Sequence, residues 1–70
     1  MMIDKFDLIL TQHAKERMAE KGISKEQIKI AIQRGAKQKQ TDGLLTSYTY
    51  IEVAYKIVGT KYIIKTVKIK

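Results

Sequence analysis

Cysteine, proline and tryptophan are absent from this 70-residue chain, and glycine occurs only four times. Without cysteine there are no disulfide staples and no thiol-rich zinc sites, and the composition fits a reducing compartment. Without proline, and with so few glycines, no linker or low-complexity stretch divides the chain, so a single domain over residues 1–70 is expected. One histidine and no thiol make a poor ligand set for a transition metal, and neither a phosphate loop nor G-x-G-x-x-G occurs. No metal or cofactor is therefore expected. A serine nucleophile is not expected either, since Ser24 reads as a helix cap and Ser47 has no base beside it.

Long apolar runs are missing too. None approaches the roughly 20 residues that cross a bilayer. The stretch 6–10 is broken by Asp7 and preceded by Asp4, which is unlike a signal peptide. The expectation is a soluble cytoplasmic protein with no membrane partner. A domain this small buries only about 60% of the surface its unfolded chain exposes, so a partner could contribute to its stability.

Acidic side chains are scarce. Seven Asp+Glu face fourteen Lys+Arg, for a formal net charge of +7 and a pI near 9.8. The excess is concentrated. Residues 1–36 carry seven basic and five acidic side chains, whereas residues 37–70 carry seven basic and two acidic. A basic half of this kind suits a nucleic acid, an acidic protein or an anionic surface. A lysine-rich surface of the thermophile type is the plainer reading, but glutamate has not risen with lysine here.

The residues present divide the chain into two periodic regimes. Residues 2–10 form a lead-in, a short strand or a turn. Thr11 can cap a helix over 12–21, in which Ala14, Met18 and Lys21 share a stripe, and Gly22 suits its left-handed end with Ile23 as the apolar contact. Ser24 and Gln27 fit a capping box for a second helix over 25–34, with Ile28, Ala31 and Ile32 on its apolar face and Gly35 at its end. Gly-Ile-Ser joins the two as an αα-hairpin.

Beyond Gly35 the period becomes two. Strands are expected over 37–41, 44–50, 50–58 and 61–69, with turns at Asp42-Gly43 and Gly59-Thr60. Strict alternation puts Ile51, Val53, Tyr55 and Ile57 on one face. In the last strand it groups Ile63, Val67 and Ile69 with Lys65, and Tyr62, Ile64, Thr66 and Lys68 opposite. The resulting fold class is α+β: two N-terminal helices packed on one face of a three- to four-stranded antiparallel sheet. The order is ααβββ, or βααβββ if the lead-in pairs, and the other sheet face is polar, basic and open.

Two groups of residues could carry chemistry. His13 and Arg17 stand four apart on the first helix, which brings both side chains to one face. His13 lies in the first turn, where exposed amides favour an anion and neutral imidazole, the form a general base needs. Arg17 could hold a phosphate through its planar fork. Together they fit metal-independent RNA cleavage. The plainer reading is a surface histidine with Arg17 paired to Glu20 or Asp7. The second group is Lys56, Lys61, Lys65 and Lys68 with Tyr50 and Tyr62, in which aromatic and basic side chains alternate as base stacking and phosphate contact require. Lys65 is anomalous, because alternation puts it among inward apolar residues, where a lysine must snorkel, sit at a margin or face a cleft. Thr66 points the other way and could meet a ligand.

The segment from Leu10 to Ser24, LTQHAKERMAEKGIS, resembles the T-x-H-A-x-x-R-M-x-x-R-G-I-S pattern of the domain-of-unknown-function family DUF4258, and Lys65-Thr66-Val67 resembles its V-x-T-V-like last strand. Lys21 stands where arginine is usual. The resemblance implies kinship with RelE-like and BrnT-like toxins, small basic ribonucleases with two helices on an antiparallel sheet. It implies His13, Arg17 and Thr66 as catalytic residues. Its implied partners are RNA, free or ribosome-associated, and an acidic antitoxin protein. The alternatives are a non-catalytic nucleic-acid-binding module and a basic face that docks an acidic partner.

Overall fold

The computed structural model describes residues 7–70. In chain order the elements are β1 (Asp7–Leu10), α1 (Gln12–Lys21), α2 (Lys25–Arg34), β2 (Ala36–Gln40), β3 (Gly43–Tyr48), β4 (Ile51–Val58) and β5 (Lys61–Ile69). The strands form one sheet in the order β1-β5-β4-β3-β2. No helix among the described residues is long and apolar enough to cross a membrane.

Local chemistry sets both helices. Thr11 caps α1 by accepting from the Ala14 amide at 3.2 Å, and the same hydroxyl donates to the Ile64 carbonyl at 2.9 Å. Gly22 ends α1 at φ 69°, and the Ile23 amide reaches back to the Met18 carbonyl at 3.0 Å, closing the helix as a left-handed glycine allows. The capping box of α2 is complete: the Gln27 amide donates to Ser24 Oγ at 3.2 Å and the Ser24 amide to Gln27 Oε1 at 2.8 Å. The arms of this αα-hairpin rest on different strands, α1 on β5 and β1, α2 on β3 and β4. Between helices and sheet lies a core of Ala14, Ile23, Ile28, Ala31, Ile32, Ile51, Val53, Tyr55, Ile64 and Val67.

The expected fold class is corrected in two respects. The sheet has five strands and is mixed, because β1 pairs with β5 in parallel, Asp7 beside Lys61 and Leu10 beside Ile64. The helices are consequently not the first elements of the chain. A three- to four-stranded antiparallel sheet of the RelE-like type is thus overturned. The physical reason lies in Leu8 and Leu10, which pack against the core from alternate positions of a four-residue strand. So short a strand hides its backbone groups only by pairing, and its partner residues on β5 lie 54 positions away along the chain (Leu10 beside Ile64), beyond the reach of local periodicity.

The second correction concerns β5. Tyr55 pairs with Ile64 and Ala54 with Thr66, so Lys65 is an extra residue, a β-bulge. The bulge shifts the alternation by one. Ile64 and Val67 are both fully buried on the helix side, and Ile63 lies opposite Lys56 on the other face. Tyr62 belongs to the helix side as well, stacked on Tyr55 with ring centroids 5.9 Å apart.

Gly35 also departs from expectation. It ends α2 with an extended backbone, φ −75°. Glycine is required there by crowding, since a Cβ would collide with Thr46 Oγ1 and with the carbonyls of Ala31 and Ser47.

Candidate nucleic-acid interface

The face of the sheet away from the helices is built by alternation from the core outward. Val53 and Tyr55 point into the core, so Glu52, Ala54 and Lys56 point out of the opposite face. Register carries this across the strands. Glu52 lies beside Lys68, Ala54 beside Thr66, and Lys56 beside Ile63. On β3, Leu45 and Ser47 flank Ala54 and Glu52. Leu45, Ala54 and Thr66 thus form one row across this open face, with Lys56 and Ile63 in the next row.

The bulge decides where Lys65 goes. Its ammonium reaches the turn between β2 and β3, donating to the Asp42 carbonyl and approaching Asp42 Oδ2 at 3.5 Å. Lys56, on the neighbouring strand, comes within 3.8 Å of Asp42 Oδ1. Two cations from adjacent strands thus converge on one carboxylate. Lys65 therefore belongs to the open face and not to the core. Lys68 stands across from Glu52, whose Oε2 accepts from Ser47 Oγ at 3.4 Å. Lys61 begins β5 opposite Val58 and beside Asp7.

His13 and Arg17 stand elsewhere. Both are on α1, which packs on the face into which Ile64 and Val67 point. His13 is exposed. Arg17 Nη1 pairs with Glu20 Oε1 at 3.4 Å, both side chains largely open to solvent. Thr66, paired with Ala54, projects from the opposite face. No hydrogen bond or ion pair joins His13, Arg17 and Thr66 to one another.

Of the residues expected to touch nucleic acid, Lys56, Lys65 and Lys68 therefore share one surface with Thr66. Lys61 lies at one end of the same strands. Tyr62 is turned toward the core. Tyr50 is half-exposed in the turn between β3 and β4, where its hydroxyl accepts from Gln27 Nε2 at 3.4 Å. It lines a shallow depression with Gln27, Ile30, Tyr48, Thr49 and Ile51. Thr49 holds φ 53° there, the only positive φ outside glycine among the described residues.

Sequence reasoning missed Asp42 as the shared partner of two lysines, having read it only as a turn residue. The signal was Lys65 itself: a charge where alternation demands an apolar side chain marks the place where alternation fails. Burial raises the Tyr55 phenol above its ordinary pKa, and the neighbouring Tyr62 pushes it in the same direction. That shift belongs to the core. Among the described residues no three His, Asp or Glu side chains gather as a bound metal would require.

Residues 10–68 match the family model described as "Domain of unknown function (DUF4258)". No curated protein matches the chain, and no solved structure does.

Proposed function

We propose, from the premise that the chain belongs to the DUF4258 family, that it is a non-catalytic RNA-binding module whose open sheet face holds the phosphate backbone. The observation that carries this reading is the gathering of Lys56, Lys65 and Lys68 on one exposed surface of β4 and β5. Lysine ammoniums act on phosphate as point charges and need no fixed fork. Among the described residues the face offers no aromatic ring for base stacking, since Tyr62 is stacked on Tyr55. Binding is therefore backbone-directed and indifferent to sequence. A net charge of +7 steers the polyanion toward the protein.

The choice of RNA over other polyanions follows the family resemblance. The catalytic variant, a toxin-like metal-independent ribonuclease, draws on the same resemblance and gains nothing from side-chain placement. Its acid-base pair is on α1 and Thr66 is on the far side of the sheet.

The test is fluorescence anisotropy with labelled single-stranded RNA in EDTA across a salt series. Three lysine contacts predict a slope of log affinity on log salt of about −2. Lys56→Glu, Lys65→Glu and Lys68→Glu together should abolish binding, and the RNA should remain intact. Salt-indifferent binding, or undiminished binding by the triple variant, refutes the reading. Cleavage that vanishes in a His13→Ala, Arg17→Ala double variant reinstates the ribonuclease. Co-purification with an acidic protein and no nucleic acid assigns the face to protein docking.

A further inference from the structure

Asp42 stands in the turn between β2 and β3, and its side chain is 71% exposed. Its two carboxylate oxygens are divided between two cations: Oδ1 lies 3.8 Å from Lys56 Nζ, and Oδ2 lies 3.5 Å from Lys65 Nζ. Among the described residues its ion pairs are with these two lysines. The lysines come from adjacent strands, and the Lys65 ammonium is brought into place by the bulge, the one irregularity in the β4–β5 ladder. Lys65 also donates to the Asp42 carbonyl, which keeps its ammonium over the turn whatever the carboxylate does.

We infer that Lys56 and Lys65 form a seat for a phosphate group, and that the Asp42 carboxylate occupies this seat until a phosphate displaces it. This rests on the RNA reading for its biological ligand, while the seat itself is a matter of local chemistry. A phosphate presents two oxygens to the two ammoniums much as the carboxylate does. The carboxylate leaves easily, because exposed ion pairs are weak and side-chain entropy opposes them. With two cations and one carboxylate, the seat keeps a net positive charge that draws the incoming anion. Asp42 therefore acts as an internal competitor that sets affinity and discriminates against weaker anions. It also draws the Lys56 ammonium toward that of Lys65 when no ligand is bound, against their mutual repulsion.

Asp42→Asn is the informative variant, since asparagine retains the turn chemistry of aspartate while losing its charge. Glu26→Gln, in the first turn of α2 on the opposite side of the sheet, removes the same charge at an exposed position and serves as the control. Inorganic pyrophosphate is the first probe, with binding to every variant read by isothermal titration calorimetry. Asp42→Asn should bind it about fivefold tighter than the parent, the size of an exposed ion pair converted to affinity. Glu26→Gln should change it by less than about twofold, because a distant exposed charge is screened. Adding Lys56→Gln and Lys65→Gln to Asp42→Asn should erase the gain.

Equal gains in Asp42→Asn and Glu26→Gln, no gain in Asp42→Asn, or a gain that survives loss of both lysines overturns the inference. The second probe is the labelled RNA. If no variant binds it, the RNA reading fails, while the pyrophosphate ranking still judges the seat. If the parent binds RNA and Asp42→Asn binds it no better, the seat is refuted and the RNA reading stands.

Discussion

The Thr46 hydroxyl donates a 2.7 Å hydrogen bond to the Ala31 carbonyl, fixing β3 against the last turn of α2 at a fully buried position. The same carbonyl accepts from the Gly35 amide at 2.8 Å, so helix end, turn and strand meet at one oxygen. Thr46→Val keeps the volume and leaves that carbonyl its second donor. It should cost about 1 kcal/mol in chemical denaturation, the net worth of one hydrogen bond. Gly35→Ala forces a methyl group against two backbone carbonyls that cannot retreat, and should cost more, about 2–3 kcal/mol. Equal or reversed costs would contradict the crowding argument.

Thr11 serves two elements at once, as N-cap of α1 and as donor to the Ile64 carbonyl beside the bulge. Thr11→Ala should therefore destabilise by about 1–2 kcal/mol, at the upper end for a cap. Thr11→Ser retains both bonds and should recover most of the loss. A thermal melt series on the parent and two variants decides this, and an alanine variant as stable as the parent rejects it.

Tyr55 makes stability depend on alkaline pH. Its phenol is raised by burial first and by Tyr62 second. A folded-state pKa above the unfolded one means that the native state holds its proton more firmly. The stabilisation is complete below the unfolded pKa of about 10 and is lost as pH rises through the folded value. Urea midpoints should be flat on the neutral side of that range and fall above it. Tyr55→Phe should flatten the alkaline fall, and an unchanged profile in that variant would locate the titration elsewhere.

The two sides of the sheet should respond differently to charge removal. His13→Ala with Arg17→Ala should leave RNA affinity within about twofold of the parent, since both side chains are on the helix side and Arg17 is already paired to Glu20. Lys65→Gln alone should weaken binding and flatten the salt slope by about 0.7, one phosphate contact on a single strand. If the helix variant loses more than the Lys65 variant, the interface lies on α1.

The ends of the helices were legible in the sequence because each is settled by neighbours a few positions away: Thr11 with Ala14, Gly22 with Met18, Ser24 with Gln27. Gly35 shows the limit of that legibility. Its position as a terminator was readable, but its full cause was not, because two of the three atoms that exclude a side chain belong to Thr46 and Ser47 on another element. The sheet was less legible for the same reason. Leu8 and Leu10 mark β1 as a strand without saying which partner it takes or in which direction. The bulge at Lys65 shifts half of β5 by one position, which is why Tyr62 left the expected interface and Ile63 joined it. The cluster of basic residues in the second half was plain from composition. The convergence of two of them on Asp42 depends on a turn and a bulge brought together across three strands.

The parallel pairing of β1 with β5 has a consequence for the timing of folding. During synthesis β1 leaves the ribosome well before the strand that will receive it, since Leu10 and Ile64 are 54 residues apart. Until residues 61–69 have been made, Leu8 and Leu10 have no bed, and Ala14 and Met18 lack the surface on which α1 rests. The α2–β2–β3–β4 segment can assemble earlier from nearer contacts. The apolar sides of β1 and α1 therefore stay uncovered until β5 has been made, a folding delay set by the distance between paired strands along the chain.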